Sequence, residues 1–285
     1  MSISRTLLWD QLMPLLRLSG SGSRSFLHGQ TTADVAAQKN GTIFKACWLT
    51  ATGRLRALLE IRLDDDGADV LVLGGDAENL LEGFANVIFP ADQVKLEELR
   101  SVRRLQILTS SSVQQPCQMI WLDLDSIVPI PFLGIEKATS EEFHYWRLNQ
   151  GLPIGSGELD GQSNPLELGL ANWVSFSKGC YLGQETIAKV SRGKKLKKEL
   201  RYWESSDQID VGEKLSNFSL DRTDSQAVGM ISSSLEIDNG EKFVGLAMIR
   251  SQSLGEEKLF LLDHSRIICL GIPIGFVNYL NVIEN

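Results

Sequence analysis

The sequence is poor in the residues that most often build metal centres and redox sites. It has three histidines, His28, His144 and His264, and no two share the i, i+4 spacing of a helical metal site. Its four cysteines are Cys47, Cys117, Cys180 and Cys269, and none forms a CxxC pair. That spacing argues against a zinc knuckle or a dithiol site, and it leaves no ready-made iron–sulfur ligand set, so no resident metal is expected. Long apolar runs are also missing. Polar residues interrupt the first thirty positions and no run approaches 18 residues, so neither a secretory signal nor a spanning helix is expected. Positive charge is in deficit, with a net charge of −8, which argues against general binding to DNA or to anionic membranes. No dehydrogenase, kinase or hydrolase motif, internal repeat or low-complexity segment stands out. Together these absences predict a cytoplasmic protein with reduced thiols, no DNA partner and no membrane association.

What is present is enough chain for two or three subdomains, 285 residues of which 43% are apolar. Gly20-Ser21-Gly22-Ser23 reads as a loop leading into a helix. Leu55, Ala57, Leu59, Ile61 and Leu63 alternate with Arg56, Leu58, Glu60 and Arg62, a strand with one mostly apolar face. Asp66-Gly67 supplies a hairpin turn, and Asp69 to Leu73 the returning strand. Asp76 is placed to cap a helix with Leu80, Leu81, Phe84, Val87 and Ile88 on one stripe, stopped by Pro90. Residues 105–108 and 118–122 read as short strands. Thr139 and Glu142 form a capping box, and the helix they open carries Phe143 and Trp146 and ends at Gly151. Beyond about residue 200, short strands near 228–232, 243–250, 258–262 and 267–270 alternate with turns, as in a small β-barrel or sandwich. The layout expected is an α+β body over 1–200, in two parts near 1–110 and 111–200, followed by a β domain over 201–285.

The most informative stretch is Lys178-Gly179-Cys180-Tyr181-Leu182-Gly183-Gln184-Glu185. It gathers an ammonium, a thiol, a phenol, an amide and a carboxylate around two glycines, which suits a turn that carries a site. Cys180 stands beside a lysine and just before an expected helix start, two features that favour a reactive thiolate. Cys180 is the candidate nucleophile, redox thiol or transient iron–sulfur ligand; the bland alternative is a semi-buried thiol. Lys178 either steers an anion or is solvated, and Glu185 either meets a heterocycle or complements the helix dipole. Downstream, Arg192, Lys194, Lys195, Lys197, Lys198 and Arg201 form a basic run that either binds an anionic tail or RNA phosphate, or is a solvated linker. A Cys180–His28 pair has no spacing support.

The 178–185 segment resembles the signature of the YgfZ family of folate-binding proteins, in the superfamily of the glycine-cleavage T-protein, an aminomethyltransferase. The segment Leu27-His28-Gly29-Gln30-Thr31-Thr32-Ala33-Asp34-Val35 resembles a second element of that family, and Gly229–Ser233 and Gly245–Arg250 resemble its barrel motifs. The resemblance implies ferredoxin-like α/β subdomains around a central channel plus a C-terminal small β-barrel. It implies tetrahydrofolate as cofactor and iron–sulfur client or assembly proteins as partners. It also implies a reactive loop of Lys178, Cys180, Tyr181, Gln184 and Glu185, with folate contacts from Gln30, Thr32, Asp34, Arg54, Asn149, Gly183 and Arg192. The chain departs from the T-protein pattern where that pattern has acids. Arg56 and Ala57 occupy the acidic positions of one strand, and Asn149 replaces a glutamate in Arg147-Leu148-Asn149-Gln150-Gly151. A guanidinium only donates hydrogen bonds and Asn149 accepts without charge, so the charged pterin acceptors are lost and aminomethyl transfer is disfavoured. Lys189 stands where the family has arginine. Three readings follow: a folate-binding accessory protein of iron–sulfur assembly or repair, a tetrahydrofolate-dependent aminomethyltransferase, and an RNA-binding factor of tRNA modification with contacts over 192–201.

Overall fold

The computed structural model describes residues 5–109, 118–193, 195–217 and 226–283. Cys117 and Lys194, two of the residues singled out above, lie outside the described residues. The body is built on an antiparallel sheet of seven strands: β1 (Leu7–Ser19), β2 (Ile43–Leu49), β3 (Leu55–Leu63), β4 (Gly67–Gly74), β5 (Lys95–Leu96), β6 (Arg100–Leu108) and β7 (Met119–Leu122). Their order is β2-β3-β4-β1-β6-β7, with β5 pairing β1 off that path. The sheet continues past residue 110, because β7 joins β6. The long β1 is central: Leu15–Ser19 pair with β4, and Leu7–Leu15 with β6. Pro14 stands one residue before the pairing with β4 begins, where a missing N–H is tolerated.

Among the described residues the α-helices are α1 (Ser23–Gln30), α2 (Ala77–Ala85), α3 (Ser140–Gln150), α4 (Gln184–Ser191) and α5 (Leu280–Ile283). Asp76 caps α2 by accepting the Asn79 N–H, as its spacing predicts. The helix ends at Ala85, earlier than the apolar stripe suggests, and Val87 is left exposed. Thr139 and Glu142 form the predicted capping box of α3, and Gly151 ends it with φ at +66°. One face of the sheet packs Leu59, Ile61 and Val70 against Leu27, Leu80 and Phe84 of α1 and α2. The expectation of a single apolar face on β3 is corrected by the other side. Leu58 and Glu60 are buried there too, because α3 covers the opposite face, where Phe143 stacks on Trp9 at 4.0 Å. Glu60 is held there by two hydrogen bonds from Arg104, at 2.7 and 2.8 Å, and one from Trp121 Nε1 at 3.2 Å. A buried carboxylate persists only with such partners.

The C-terminal strands are β8 (Lys198–Ser205), β9 (Lys214–Ser216), β10 (Gly229–Ile237), β11 (Lys242–Arg250), β12 (Lys258–Leu261) and β13 (Ile267–Gly271). They close into a barrel in the order β10-β11-β8-β13-β12-β9 around Trp203, Ile231 and Ile249. Closure removes the exposed edges that short strands would otherwise present. The fold class is therefore α+β with a small C-terminal barrel. The barrel is bolted to the body: Arg147 of α3 donates to Glu158 at 3.3 Å and to Ser233 of β10 at 3.0 Å, and Ser233 donates to Glu158 at 2.7 Å. Backbone bonds from Leu200 N to Glu167 O and from Ile274 N to Asn149 O tie the barrel end to the same region. Among the described residues no helix is long and apolar enough to cross a membrane.

Candidate functional site

Three segments far apart in sequence meet at one place: the turn after α1, the β2–β3 hairpin and the 178–185 loop. Lys178 makes the first link. Its ammonium donates to the carbonyls of His28, Thr31 and Ala33 at 2.5, 2.6 and 2.8 Å, and sits 4.6 Å from the Tyr181 ring centroid. His28 and Thr31 stand at the end of α1, where carbonyls lack intrahelical partners, and Ala33 follows in the turn beyond. Thr32 makes the second link, donating to Trp173 O at 2.7 Å while accepting from Cys47 N at 2.8 Å. Backbone bonds from Ser175 N to Thr32 O and from Leu182 N to Gly29 O complete the seam.

The hairpin locks the loop from the other side. Gly183 precedes α4 with φ at +81°, and a Cβ there would stand 2.6 Å from Thr50 O and 3.0 Å from Gly53 Cα. Gly53 has φ at +77°, and a Cβ there would stand 2.6 Å from the Thr186 Cβ. Two backbones approach so closely that only glycine fits on either side. Thr186 then donates to Thr52 O at 2.8 Å.

This geometry sorts the sequence-predicted residues. Lys178 is neither a free anion guide nor solvated, since it is buried and spent on three carbonyls; burial lowers its pKa to about 8, with Asp34 opposing. Tyr181 is also interior: burial raises its phenol, and its hydroxyl finds no partner among the described residues. Thr32 and Gly183 are buried in the seam, where they position the loop. Cys180 is exposed, a free thiol at the crest of the anchored loop. Cys47 beneath it is fully buried, which pushes its thiol up to about 12. Gln184 is half-buried in the first turn of α4. Glu185 is exposed and pairs with Lys189 at 2.7 Å, which lowers its pKa, so the surface reading holds for it in this geometry.

On the α1 side, Gln30 is half-buried and Asp34 accepts the Ala37 N–H at 3.2 Å. His28 accepts from Ala36 N at 3.2 Å through Nδ1, a local tether. Asn149 donates back to Tyr145 O at 2.8 Å within α3, leaving its side-chain oxygen as the acceptor. Arg56 lies over the Trp48 ring at 3.9 Å and Ala57 is fully buried, so neither acidic position of the T-protein pattern offers an acceptor. The basic run divides in the same way. Arg192, Lys195 and Lys197 are exposed, whereas Arg201 is buried in β8, donating to Glu199 at 2.8 Å beneath Phe276.

Beside this seam is a cavity of about 450 Å³. It is lined by Thr52 and Arg54 of the hairpin, Asn164 and Glu167, Thr186, Lys189 and Val190 of α4, and Lys195 to Lys197. Glu167 was missed as a candidate by sequence reasoning. The available signal was a lone carboxylate inside the apolar segment Leu166-Glu167-Leu168-Gly169-Leu170. Its side chain accepts the Asn164 N–H at 3.0 Å, and burial raises its pKa against the pull of that N–H, Lys198, Arg54 and Lys197.

An α+β body with this seam and a closed C-terminal barrel define a T-protein-type fold. The fold is similar to that of the glycine cleavage system aminomethyltransferase T from Bartonella henselae, with a TM-score of 0.71 at 14% identity, over 96% of this chain and 87% of that one. No protein-family model matches the chain. It is 24% identical over 207 residues to the tRNA-modifying protein YgfZ of Colwellia psychrerythraea, covering 61% of this chain and 64% of that protein. It is 26% identical over 221 residues to the mitochondrial iron–sulfur cluster assembly factor IBA57 homolog of Neurospora crassa, covering 63% and 49%. Over 63 residues it is 41% identical to the mitochondrial iron–sulfur cluster assembly factor IBA57 of Mus musculus, covering 21% and 18%. The chain thus spans less than two thirds of the length of these relatives. It shares the T-protein fold and is similar in sequence to proteins named YgfZ and IBA57.

Proposed function

We propose that this chain is a folate-binding accessory protein that supports assembly or repair of iron–sulfur clusters through Cys180. One observation carries the reading: an exposed thiol tops a loop whose neighbours on both sides are pinned. A thiol presented this way is accessible to a second protein while its position stays fixed, which suits a ligand handed between partners. A cluster takes four protein ligands. Among the described residues no group of three or more His, Cys, Asp and Glu side chains could hold a metal. The cluster is therefore cargo in this reading, with its remaining ligands supplied by an assembly or client protein.

Folate is the proposed small-molecule ligand, and the residues present fit it only in part. The charged acceptors that would grip a pterin are replaced by Arg56, Ala57 and Asn149, and only the Asn149 side-chain oxygen can accept. Asp34, Gln30, Arg54 and Arg192 remain as accessible contacts. The ligand is accordingly read as bound and not as activated, and aminomethyl transfer is set aside. The test is the activity of an iron–sulfur enzyme in cells lacking this protein, complemented with wild type or Cys180→Ala. Rescue by wild type alone supports the reading, equal rescue removes Cys180 from it, and a deletion without a defect overturns it.

A further inference from the structure

The cavity beside α4 concentrates positive charge that the chain can ill spare. With a net charge of −8, the protein still sets Arg54, Lys189, Lys195 and Lys197 around one concavity. Only one carboxylate lines it, and burial biases that group, Glu167, toward its neutral form. Lys189 is shared with Glu185 on the outer surface. The Arg54 Nη1 stands 3.6 Å from Glu167 Oε2, beyond a good hydrogen bond, so its fork of donors is not saturated there. Lys195 and Lys197 make no ion pair among the described residues. Like charges gathered in a concave site repel one another and focus a positive potential, which a multiply charged anion relieves.

We propose that this cavity binds a small molecule bearing two or more oxyanion groups, with Arg54 as the forked donor and Lys195 and Lys197 as the flanking charges. A guanidinium receives a carboxylate or phosphate through two parallel hydrogen bonds, and lysines add charge without demanding geometry. Glu167 forms the floor. In its protonated form it donates an O–H to the anion while its other oxygen keeps the Asn164 N–H. A volume of about 450 Å³ admits a ligand of small-molecule size and excludes a folded partner. The oxyanions come either from an oligoglutamate or from a phosphate compound, and the chemistry is shared. The inference does not depend on the proposed cluster role; its oligoglutamate arm shares Arg54 with the folate reading, whereas its pyrophosphate arm stands apart from it.

The test is calorimetric titration of the full chain at low ionic strength with tri-glutamate in one arm and inorganic pyrophosphate in the other. Binding of either supports the site, and the probe that binds identifies the source. Arg54→Ala and Lys197→Ala are each expected to weaken binding about tenfold or more, the loss of one charge-assisted contact. Glu167→Gln removes the carboxylate from the floor and is expected to bind as tightly as wild type or more tightly. Lys258→Ala, on the far barrel strand β12, is expected to change nothing. A ligand-induced rise in Tm, measured for every variant, separates lost binding from lost folding. The proposal is overturned if neither probe binds at millimolar concentration, or if Arg54→Ala and Lys197→Ala bind like wild type. It is also overturned if Glu167→Gln folds but abolishes binding, which would make Glu167 the receptor of an N–H donor. Salt-dependent tRNA binding that is lost in Lys195→Ala and Lys197→Ala, with both small probes silent, would replace it with a nucleic-acid surface.

Discussion

Lys178 and Cys180 stand two residues apart and meet opposite environments. The ammonium is buried under three carbonyls, and the thiol is exposed. Lys178→Met keeps the apolar stem and removes the donor, leaving the carbonyls of His28, Thr31 and Ala33 short of a partner. The Ala33 carbonyl keeps the Val35 N–H, so the loss falls on His28 and Thr31 and should be about 2–3 kcal/mol in urea unfolding. The thiols should separate as sharply. Iodoacetamide on the native protein should modify Cys180 and the exposed Cys269 and spare Cys47, whose burial raises its pKa to about 12. Peptide mass spectrometry reads this directly, and modified Cys47 in the folded protein would contradict the packing described. Glu185→Gln, by contrast, should leave stability unchanged, because its partner Lys189 is solvated with it.

At the scale of elements, the β2–β3 hairpin crosses the start of α4 at close range. Gly183→Ala adds a Cβ to a left-handed backbone against Thr50 O, and thermal unfolding should show a loss of about 2 kcal/mol or more. Gly179, two residues upstream of Tyr181, has open space around it, so Gly179→Ala serves as the mild control. A second joint ties β1 to β6. Asp10 accepts from Arg103 at 2.6 and 2.7 Å and pairs with Lys137 at 2.6 Å. Arg103 foremost holds its carboxyl down to about 2, against an ordinary 3.8. Because the folded pKa is the lower one, the unfolded chain takes up the proton first. The contribution is whole above about pH 4 and drains away as pH falls through about 2, up to about 2 kcal/mol in all. Asp10→Asn should therefore lose stability at neutral pH and show a flatter acid limb between pH 4 and 2.

At the scale of the whole molecule, a buried polar cluster helps to couple body to barrel. Arg147 binds Glu158 and Ser233, and His144 Nε2 lies 2.9 Å from Arg147 Nη2. Glu158→Ala would strand a buried guanidinium, and a loss of about 3–5 kcal/mol in thermal unfolding is expected. Ser233→Ala removes a bridge but no charge and should cost less. If both variants unfold like wild type, the barrel is held by its apolar contacts and backbone bonds alone. The same joint fixes Asn149 and Glu167, through the bonds to Ile274 N and Leu200 N, so barrel docking and the geometry of the candidate site are linked.

The sequence by itself determined the local features, because they depend on neighbours in the chain. The caps at Asp76 and Thr139, the stop at Gly151 and the Asp66-Gly67 turn are contacts within a few residues, and each is legible as a pattern. The 178–185 segment stands out for a different reason, a mixture of residue types that suits no core strand or helix, and 27–35 stands out by its resemblance to a family element. What required tertiary structure was the meaning of individual side chains. Lys178 reads as a solvated charge until α1 brings three carbonyls to it from 145 to 150 residues away. Glu60 and Arg104 read as surface charges until the second face of the sheet is covered. Glu167 and Arg54 read as unrelated until the hairpin and α4 close one cavity around them. Burial and charge pairing are set by long-range packing, and no local pattern of residues encodes which distant partner will arrive.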